Sequence, residues 1–511
     1  MNANSILDIL VKQVQKFPYL SIFIVALALR WLLLGLGFVD YWGDAQHNLI
    51  ISKLTLENGF VYTDFKDREL AWLPLYRYLG SFIMLITGTY SLTVIHAFNI
   101  IIGAFTASIT AYLGVTLINK KTGIYIGLVT ACIPYMIVFS YVSVAEMVGA
   151  LLLLGWLFGL IKNNYWLVFI CTALGALTRE EITFLIGISF VPLFYSKNYK
   201  GIVYSVLGLI LGLGIWSWWS YLNTENLLSW LLNRFQSTSS STAFYANEGN
   251  FLVEYMLTPF GSLIQTFPLI LFFIWFRKSE SKKPFKNKEW VSLIGYLTIV
   301  HWIFIFIAQF KIIAYPDPRL FILTLPIAII WFFSLFQRGY FRKFVTRRVI
   351  FFLVGISLIQ LVVPYYRQYS LQPRKEVGKW IQENIEDDQI IWSDQAVAIV
   401  ESKRDPKLYI SSDKLLPLSI RGTQEQDEYI HSMLEELDIE YLTSYNAPFD
   451  YTQALWPQIA ELQPFEWNGI TFVPVFSYSP YKRDEGSIHA LLREQFEAQL
   501  QIGSIWRLYR N

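Results

Sequence analysis

Eleven separate stretches of this 511-residue chain are apolar over roughly the length that a helix needs to cross a bilayer, and this pattern makes lipid the solvent for most of the molecule. They run from Pro18 to Val39, Leu92 to Ile118, Gly123 to Phe139, Met147 to Ile161, Tyr165 to Leu177, Ile182 to Tyr195, Gly201 to Tyr221, Leu257 to Phe276, Trp290 to Gln309, Leu320 to Gln337 and Val349 to Pro364. A crossing takes about 20 apolar residues, and shorter runs serve when a bundle packs around them. Composition agrees: charged residues make up 16% of the chain, well below the soluble norm of about 25%. Aromatic residues reach 17%, which suits helices that meet the bilayer interface as well as its core.

Basic residues orient these spans. With eleven crossings and the N-terminus inside, the cytoplasmic connections carry Lys120-Lys121, Lys162, Lys197 with Lys200, the run Arg277, Lys278, Lys282, Lys283, Lys286, Lys288, and then Arg338, Arg342, Lys343, Arg347, Arg348. A twelfth apolar stretch, Trp72 to Gly88, would keep those clusters inside only by moving Lys12 and Lys16 outside. It is therefore expected to lie in the external interface as an amphipathic or re-entrant helix, where Pro74 and Arg77 are accommodated. No small-residue cleavage site closes the first apolar run, which reads as an uncleaved span.

Charge divides the chain near residue 364. Residues 365–511 carry 14 basic against 23 acidic side chains, a net −9, whereas residues 1–364 carry 27 against 16, a net +11. The second part alternates helical patterns, Arg374 to Ile385 and Gln424 to Leu437, with β-rich runs at Gln389 to Trp392, Leu408 to Ile410, Ile470 to Phe476 and Ile505 to Tyr509. It is expected to form a small α/β domain outside the cytoplasm. The two cysteines, Cys132 and Cys171, sit in apolar runs and read as small buried residues. Neither a glycine-rich phosphate loop nor a metal-type Cys/His spacing occurs in the tail, and no nucleic-acid partner is expected. Ser237 to Thr242, between Leu222 and Met256, is polar and of low complexity.

Five residues are candidates for chemistry. Asp44, just beyond the first span, is placed to act as a base on an acceptor near the lipid phosphates. Asp40, Glu57, Asp64, Asp67 and Glu69 are rival acids in the same connection, and the alternative reading of Asp44 is an exposed loop acid. His47, three residues on, is a candidate to orient that base or to bind a metal. Glu146 opens the fourth span beside Ser140, Tyr141 and Ser143, and ionisable groups at membrane depth are costly unless used or paired. Arg179, with Glu180 and Glu181, occupies the next external turn, and Arg319 follows Asp317-Pro318. Guanidinium forks suit phosphate; the alternatives are snorkelling or a salt bridge, as between Arg179 and Glu181. His301, mid-span, reads as a hydrogen-bonded core residue.

In order along residues 18 to about 340, these features resemble the GT-C glycosyltransferase superfamily, which includes protein O-mannosyltransferases, aminoarabinose transferases of lipid A and GPI-anchor mannosyltransferases. Asp44 with His47, Ile50-Ile51 and Asn58-Gly59 is similar to the first external loop that holds the family's catalytic Asp. Trp72-Leu73-Pro74-Leu75-Tyr76 resembles the Pro-Leu-Tyr opening of its interfacial helix. Ser140 to Glu146 is similar to its Ser/Glu motif, Leu177-Thr178-Arg179 to its Leu-Thr-Arg turn, and Arg319 ahead of Leu325-Pro326 to its late arginine-to-proline segment. One departure is plain: many relatives carry two adjacent acids in the first loop, and here Ala45 follows Asp44.

The resemblance implies an α-helical polytopic membrane protein, a GT-C-like bundle of about 11 spans with external interfacial helices. Residues 1–364 would be the catalytic domain and residues 365–511 an extracytoplasmic α/β domain. It further implies inverting transfer of a monosaccharide from a polyprenyl-phosphate donor to a lipid, glycan or protein acceptor. Asp44 would be the base, Arg179 and Arg319 would hold the leaving phosphate, and Glu146 and His47 would orient substrates. A divalent metal is compatible with that chemistry and no cofactor is required by it. The site would face away from the cytoplasm, at the plasma membrane in a prokaryote. The rivals are a transporter or flippase of a lipid-linked sugar, for which paired broken helices in repeated halves would be expected, and a lipid-diphosphate ligase or polymerase, whose arginine-rich late loop has only Arg234 here.

Overall fold

The computed structural model describes residues 16–38, 40, 43–64, 72–232, 287–309, 318–335, 361–362, 365–366, 368–412, 425–445, 451–478 and 503–510. The expected span Leu257 to Phe276, nearly all of Val349 to Pro364, the basic runs Arg277 to Lys286 and Arg338 to Arg348, the Ser237 to Thr242 segment and the acids Asp67, Glu69 and Asp317 lie outside the described residues.

In chain order the described α-helices up to residue 335 are α1 (Pro18–Gly35), α2 (Gly43–Glu57), α3 (Leu75–Thr87), α4 (Leu92–Leu117), α5 (Lys120–Cys132), α6 (Pro134–Tyr141), α7 (Glu146–Ile161), α8 (Tyr165–Ala176), α9 (Glu180–Tyr195), α10 (Tyr199–Thr224), α11 (Lys288–Gln309) and α12 (Leu325–Leu335). Four of these, α1, α4, α10 and Lys288–Ile307 of α11, are long and apolar enough to cross a membrane, and α5 with α6 adds a fifth, bent by 56°. Shorter apolar helices, α3, α7, α8 and α12, accompany them. The stretch expected as one span from Leu320 to Gln337 is instead a 3-10 turn, Pro318–Phe321, followed by α12. Pro326 explains this: at the second residue of α12 its missing N–H costs nothing, whereas deeper in a helix it would break the ladder.

The chain divides into two compact units. One comprises Met1–Phe38, Leu73–Tyr76 and Ile95–Val362; the other comprises Val39–Trp72, Arg77–Val94 and Val363–Asn511.

Within the first unit, glycine lets backbones meet. On α10 the pair Gly208 and Gly212 faces α8 so closely that a β-carbon at Gly212 would fall 2.4 Å from the Ala173 carbonyl oxygen, and one at Gly208 would fall 2.7 Å from that of Phe169. This is the small-xxx-small device of membrane helix packing. The bend between α5 and α6 falls at Ile133-Pro134, where the ladder is interrupted and carbonyls lose their partners. Arg30 of α1, fully buried, donates through Nη1 to the Ala131 carbonyl (3.2 Å) and through Nη2 to that of Met136 (3.2 Å). An arginine in a lipid span is thus held by carbonyls on either side of a neighbouring bend, the second of which, that of Met136, also accepts from the Ser140 hydroxyl.

The second unit is built on a six-stranded sheet of order β2-β1-β3-β6-β5-β4. Its strands are β1 (Ile391–Trp392), β2 (Tyr409–Ile410), β3 (Tyr441–Tyr445), β4 (Phe465–Trp467), β5 (Ile470–Tyr478) and β6 (Gly503–Arg510). β1 pairs in parallel with β2 and β3, and the remaining pairs are antiparallel. Alternation sends Ile391, Tyr441 and Ile505 into one core and Trp392, Leu442 and Trp506 into the other. The first core includes Ile50 and Leu54, one helical turn apart on α2, with Val377 and Ile381 from the helix Gln372–Asn384. Residues 43–57, read above as part of an external loop, are therefore a helix whose apolar face completes the core of this unit.

Candidate functional site

Three of the expected site residues meet in the first unit. Glu146 is the first residue of α7, Arg179 is the N-cap of α9 with Glu180 and Glu181 in that helix's first turn, and Arg319 lies in the Pro318–Phe321 turn. Carboxylates in a first turn face the positive end of the helix dipole, which is why Glu146, Glu180 and Glu181 suit these positions. Arg179 donates from Nε to Glu181 Oε2 (3.0 Å), from Nη2 to Glu181 Oε1 (2.6 Å) and from Nη1 to Glu146 Oε1 (2.9 Å). Arg319 Nε stands 3.9 Å from the same Glu146 oxygen. Gly149, one turn into α7, leaves room for this cluster: a β-carbon there would lie 3.4 Å from Arg179 Cγ and 3.2 Å from Ile182 Cδ1.

Neither snorkelling nor a lone salt bridge describes Arg179. Its side chain is 14% exposed, and three of its five N–H groups are engaged by two carboxylates. The Glu146 side chain is 3% exposed, and its second oxygen, Oε2, is buried with no hydrogen-bond partner among the described residues. A buried carboxylate oxygen without a donor is costly.

Sequence reasoning missed the ties that hold these segments together. The Leu75 N–H donates to the Leu177 carbonyl (2.9 Å), joining the Trp72-Leu73-Pro74-Leu75-Tyr76 motif to the turn before Arg179. Asn99, fully buried in α4, donates from Nδ2 to Tyr76 Oη (2.8 Å) and to the Val142 carbonyl (2.8 Å), four residues ahead of Glu146. A polar Asn in an otherwise apolar span was the available signal for this junction. Arg30 within the first span was another.

The second unit holds the other two expected residues. Asp44 is in the first turn of α2 and is partly exposed; His47 follows on the same helical face and is buried. His47 Nε2 stands 2.8 and 3.0 Å from the two oxygens of Asp64, and its ring packs 5.1 Å from that of Trp72. The Arg77 guanidinium covers the Trp72 ring at 4.5 Å. The rival acids thus separate by environment. Asp64 is buried against His47, Asp40 is buried, and Glu57 pairs with Lys53 (3.8 Å) and Lys407 (3.5 Å). Among the described residues no three His, Cys, Asp or Glu side chains converge as a metal site.

No protein-family model matches the sequence, and no curated protein matches it. Solved structures resemble its fold. ArnT from Cupriavidus metallidurans, in a structure bound to undecaprenyl phosphate, superposes with a TM-score of 0.57 at 9% identity, over 91% of this chain and 96% of that one. The archaeal oligosaccharyltransferase AglB from Archaeoglobus fulgidus, in complex with an inhibitory peptide and a dolichol-phosphate, gives a TM-score of 0.47 at 12% identity, over 84% of this chain and 70% of that one. The fold shared with ArnT, over nearly the whole of both chains, is the GT-C fold.

Proposed function

We propose that this chain of GT-C fold is a membrane glycosyltransferase that moves a monosaccharide from a polyprenyl-phosphate donor to a lipid, glycan or protein acceptor outside the cytoplasm, with inversion at the anomeric carbon. The observation that carries this reading is the buried cluster in which Glu146 lies between Arg179 and Arg319. An enzyme whose sugar arrives on a lipid phosphate needs cations at membrane depth to take up the charge of the departing phosphate, and it needs them held in place before the reaction.

In the proposed reaction an acceptor oxygen or nitrogen forms its bond to the anomeric carbon as the bond from that carbon to the phosphate oxygen breaks, and the electron pair leaves with the phosphate. Arg319, together with the two N–H groups of Arg179 that no carboxylate takes among the described residues, stabilises that developing charge. Glu146 Oε2 accepts a hydrogen bond from a donor or acceptor hydroxyl. Asp44 removes the proton of the attacking group. That last assignment is supported by the resemblance of its segment to the GT-C first loop and by its partial exposure, unlike that of Asp40 and Asp64. Residues 365–511 are proposed to form, with the segments grouped with them, the extracytoplasmic part.

The test is transfer in vitro by the purified protein in its own lipids, with a panel of polyprenyl-phosphate sugars and Asp44→Asn as control. Transfer from one of these donors, lost in the variant, is expected. Movement of intact lipid-linked sugar across the bilayer with no transfer from any donor would replace this reading with the transporter.

A further inference from the structure

Near the middle of α11 the fully buried His301 makes a hydrogen bond through Nδ1, to Thr324 Oγ1 at 2.9 Å, and its Nε2 has no hydrogen-bond partner among the described residues. The tautomer follows from the neighbours. Trp302 Nε1, which can only donate, lies 3.2 Å from the same Thr324 oxygen, so that oxygen accepts from the indole. The hydroxyl has a single proton, and among the described residues His301 Nδ1 is the remaining partner for it. Nδ1 therefore accepts, and the neutral ring carries its own proton on Nε2. The opposite tautomer would leave two buried groups unmatched among the described residues, the Thr324 proton and the Nε2 lone pair, instead of the one N–H.

An N–H donor buried in an apolar span, with no acceptor for it among the described residues, is unfavourable by the cost of an unmade hydrogen bond. The core role expected for His301 is satisfied through Nδ1 alone, so Nε2–H is surplus to it. Its surroundings supply a reason. Thr324 belongs to the short segment of Arg319, through the Ile322 N–H to the Arg319 carbonyl (3.0 Å). Trp302 and Phe306 both pack on Phe321, at 6.1 Å. On another face of α11, Phe304 stacks at 4.3 Å on Phe184, one turn into α9 from Glu181. The helix bearing His301 is thus packed against both segments that carry the arginines.

We infer that His301 is a further phosphate-binding residue, its Nε2–H donating to an oxygen of the lipid phosphate held by Arg179 and Arg319. The inference rests on the functional reading above. A neutral donor suits this place because it adds a hydrogen bond to the anion without adding a third positive charge to a buried cluster.

The test is binding of undecaprenyl phosphate, without sugar, to wild type, His301→Gln, His301→Asn and Arg319→Ala. Glutamine brings an amide N–H to about the position of Nε2, whereas asparagine reaches only that of Nδ1. His301→Asn is expected to weaken binding roughly ten- to hundredfold, the range for a lost hydrogen bond to a charged group, and His301→Gln to stay within about threefold of wild type. The reverse order, or wild-type binding by both, overturns the inference, as does a loss seen only with the sugar-bearing lipid. Wild-type binding by Arg319→Ala overturns the functional reading instead. Should the variants misfold, histidine-labelled wild type decides, since the chain has 5 histidines: the Nε2 resonance of His301 is expected to move on adding the lipid phosphate, and an unmoved resonance refutes the contact.

Discussion

Replacing Arg179 with alanine would remove the cation from between two carboxylates whose side chains are only 3% and 17% exposed, Glu146 and Glu181. Opposite charges about 3 Å apart attract by about 5–6 kcal/mol per pair at an effective dielectric of about 20. Most of that attraction offsets the desolvation of the three groups. Once the arginine is gone, its partners remain buried without a counter-charge, and the net loss of stability is about 3–5 kcal/mol. Arg319, 22% exposed and 3.9 Å from Glu146, forms a looser pair, so Arg319→Ala is expected to cost about 0–1 kcal/mol. Thermal unfolding of the purified variants reads the difference. Arg179→Ala should melt well below Arg319→Ala, and Arg179→Met with Glu181→Gln should recover part of the loss because cation and carboxylate leave together. If Arg179→Ala and Arg319→Ala unfold at the same temperature, the reasoning that Arg179 is held by a buried fork fails.

Asp44→Asn is expected to reduce single-turnover transfer by about 10² to 10⁴ while unfolding like wild type, since it removes the base and keeps the shape; undiminished transfer would reassign the base. Asp64→Ala should act in the opposite sense, destabilising the protein by about 1–3 kcal/mol because His47 loses its buried acceptor, and an unchanged unfolding temperature would contradict that role. Gly212→Ala, whose methyl would meet the Ala173 carbonyl, should cost about 1–3 kcal/mol, whereas Gly214→Ala, with nothing within 4 Å, should be tolerated; equal stabilities would refute the close approach of α8 and α10. A topology reporter inserted near Lys283 should be cytoplasmic and one fused after Asn511 external, and finding both on one side would remove the basis for an extracytoplasmic site.

Much of the architecture was legible without coordinates because it depends on local periodicity. Apolar runs located α1, α4, α10 and α11 to within a few residues, and β-rich runs located β1, β2, β5 and β6. Strand β3 escaped because Thr443 and Ser444 interrupt its apolar pattern. Both are buried, and the Thr443 hydroxyl donates to Ser393 Oγ at 2.8 Å, a partner fifty residues away. The α2 segment was read as loop because its polar residues hide the spacing of Ile50 and Leu54, and their core is completed by residues more than three hundred positions later.

The candidate site divides in the same way. That Glu146, Arg179 and Arg319 sit at helix ends in an apolar chain follows from the sequence, since an ionisable group in a lipid-facing pattern stands out wherever it occurs. Which partner each one takes does not. Glu146 meets Arg179 across 33 residues, Arg30 caps a carbonyl 101 residues away, and His47 turns to Asp64, 17 residues on. Side-chain spacing along one helix reports which face is buried, because burial recurs every three or four residues. A hydrogen bond between helices is set by how whole elements pack, and only the tertiary structure could show that Arg179 is held in a fork of two carboxylates and that His301 meets Thr324.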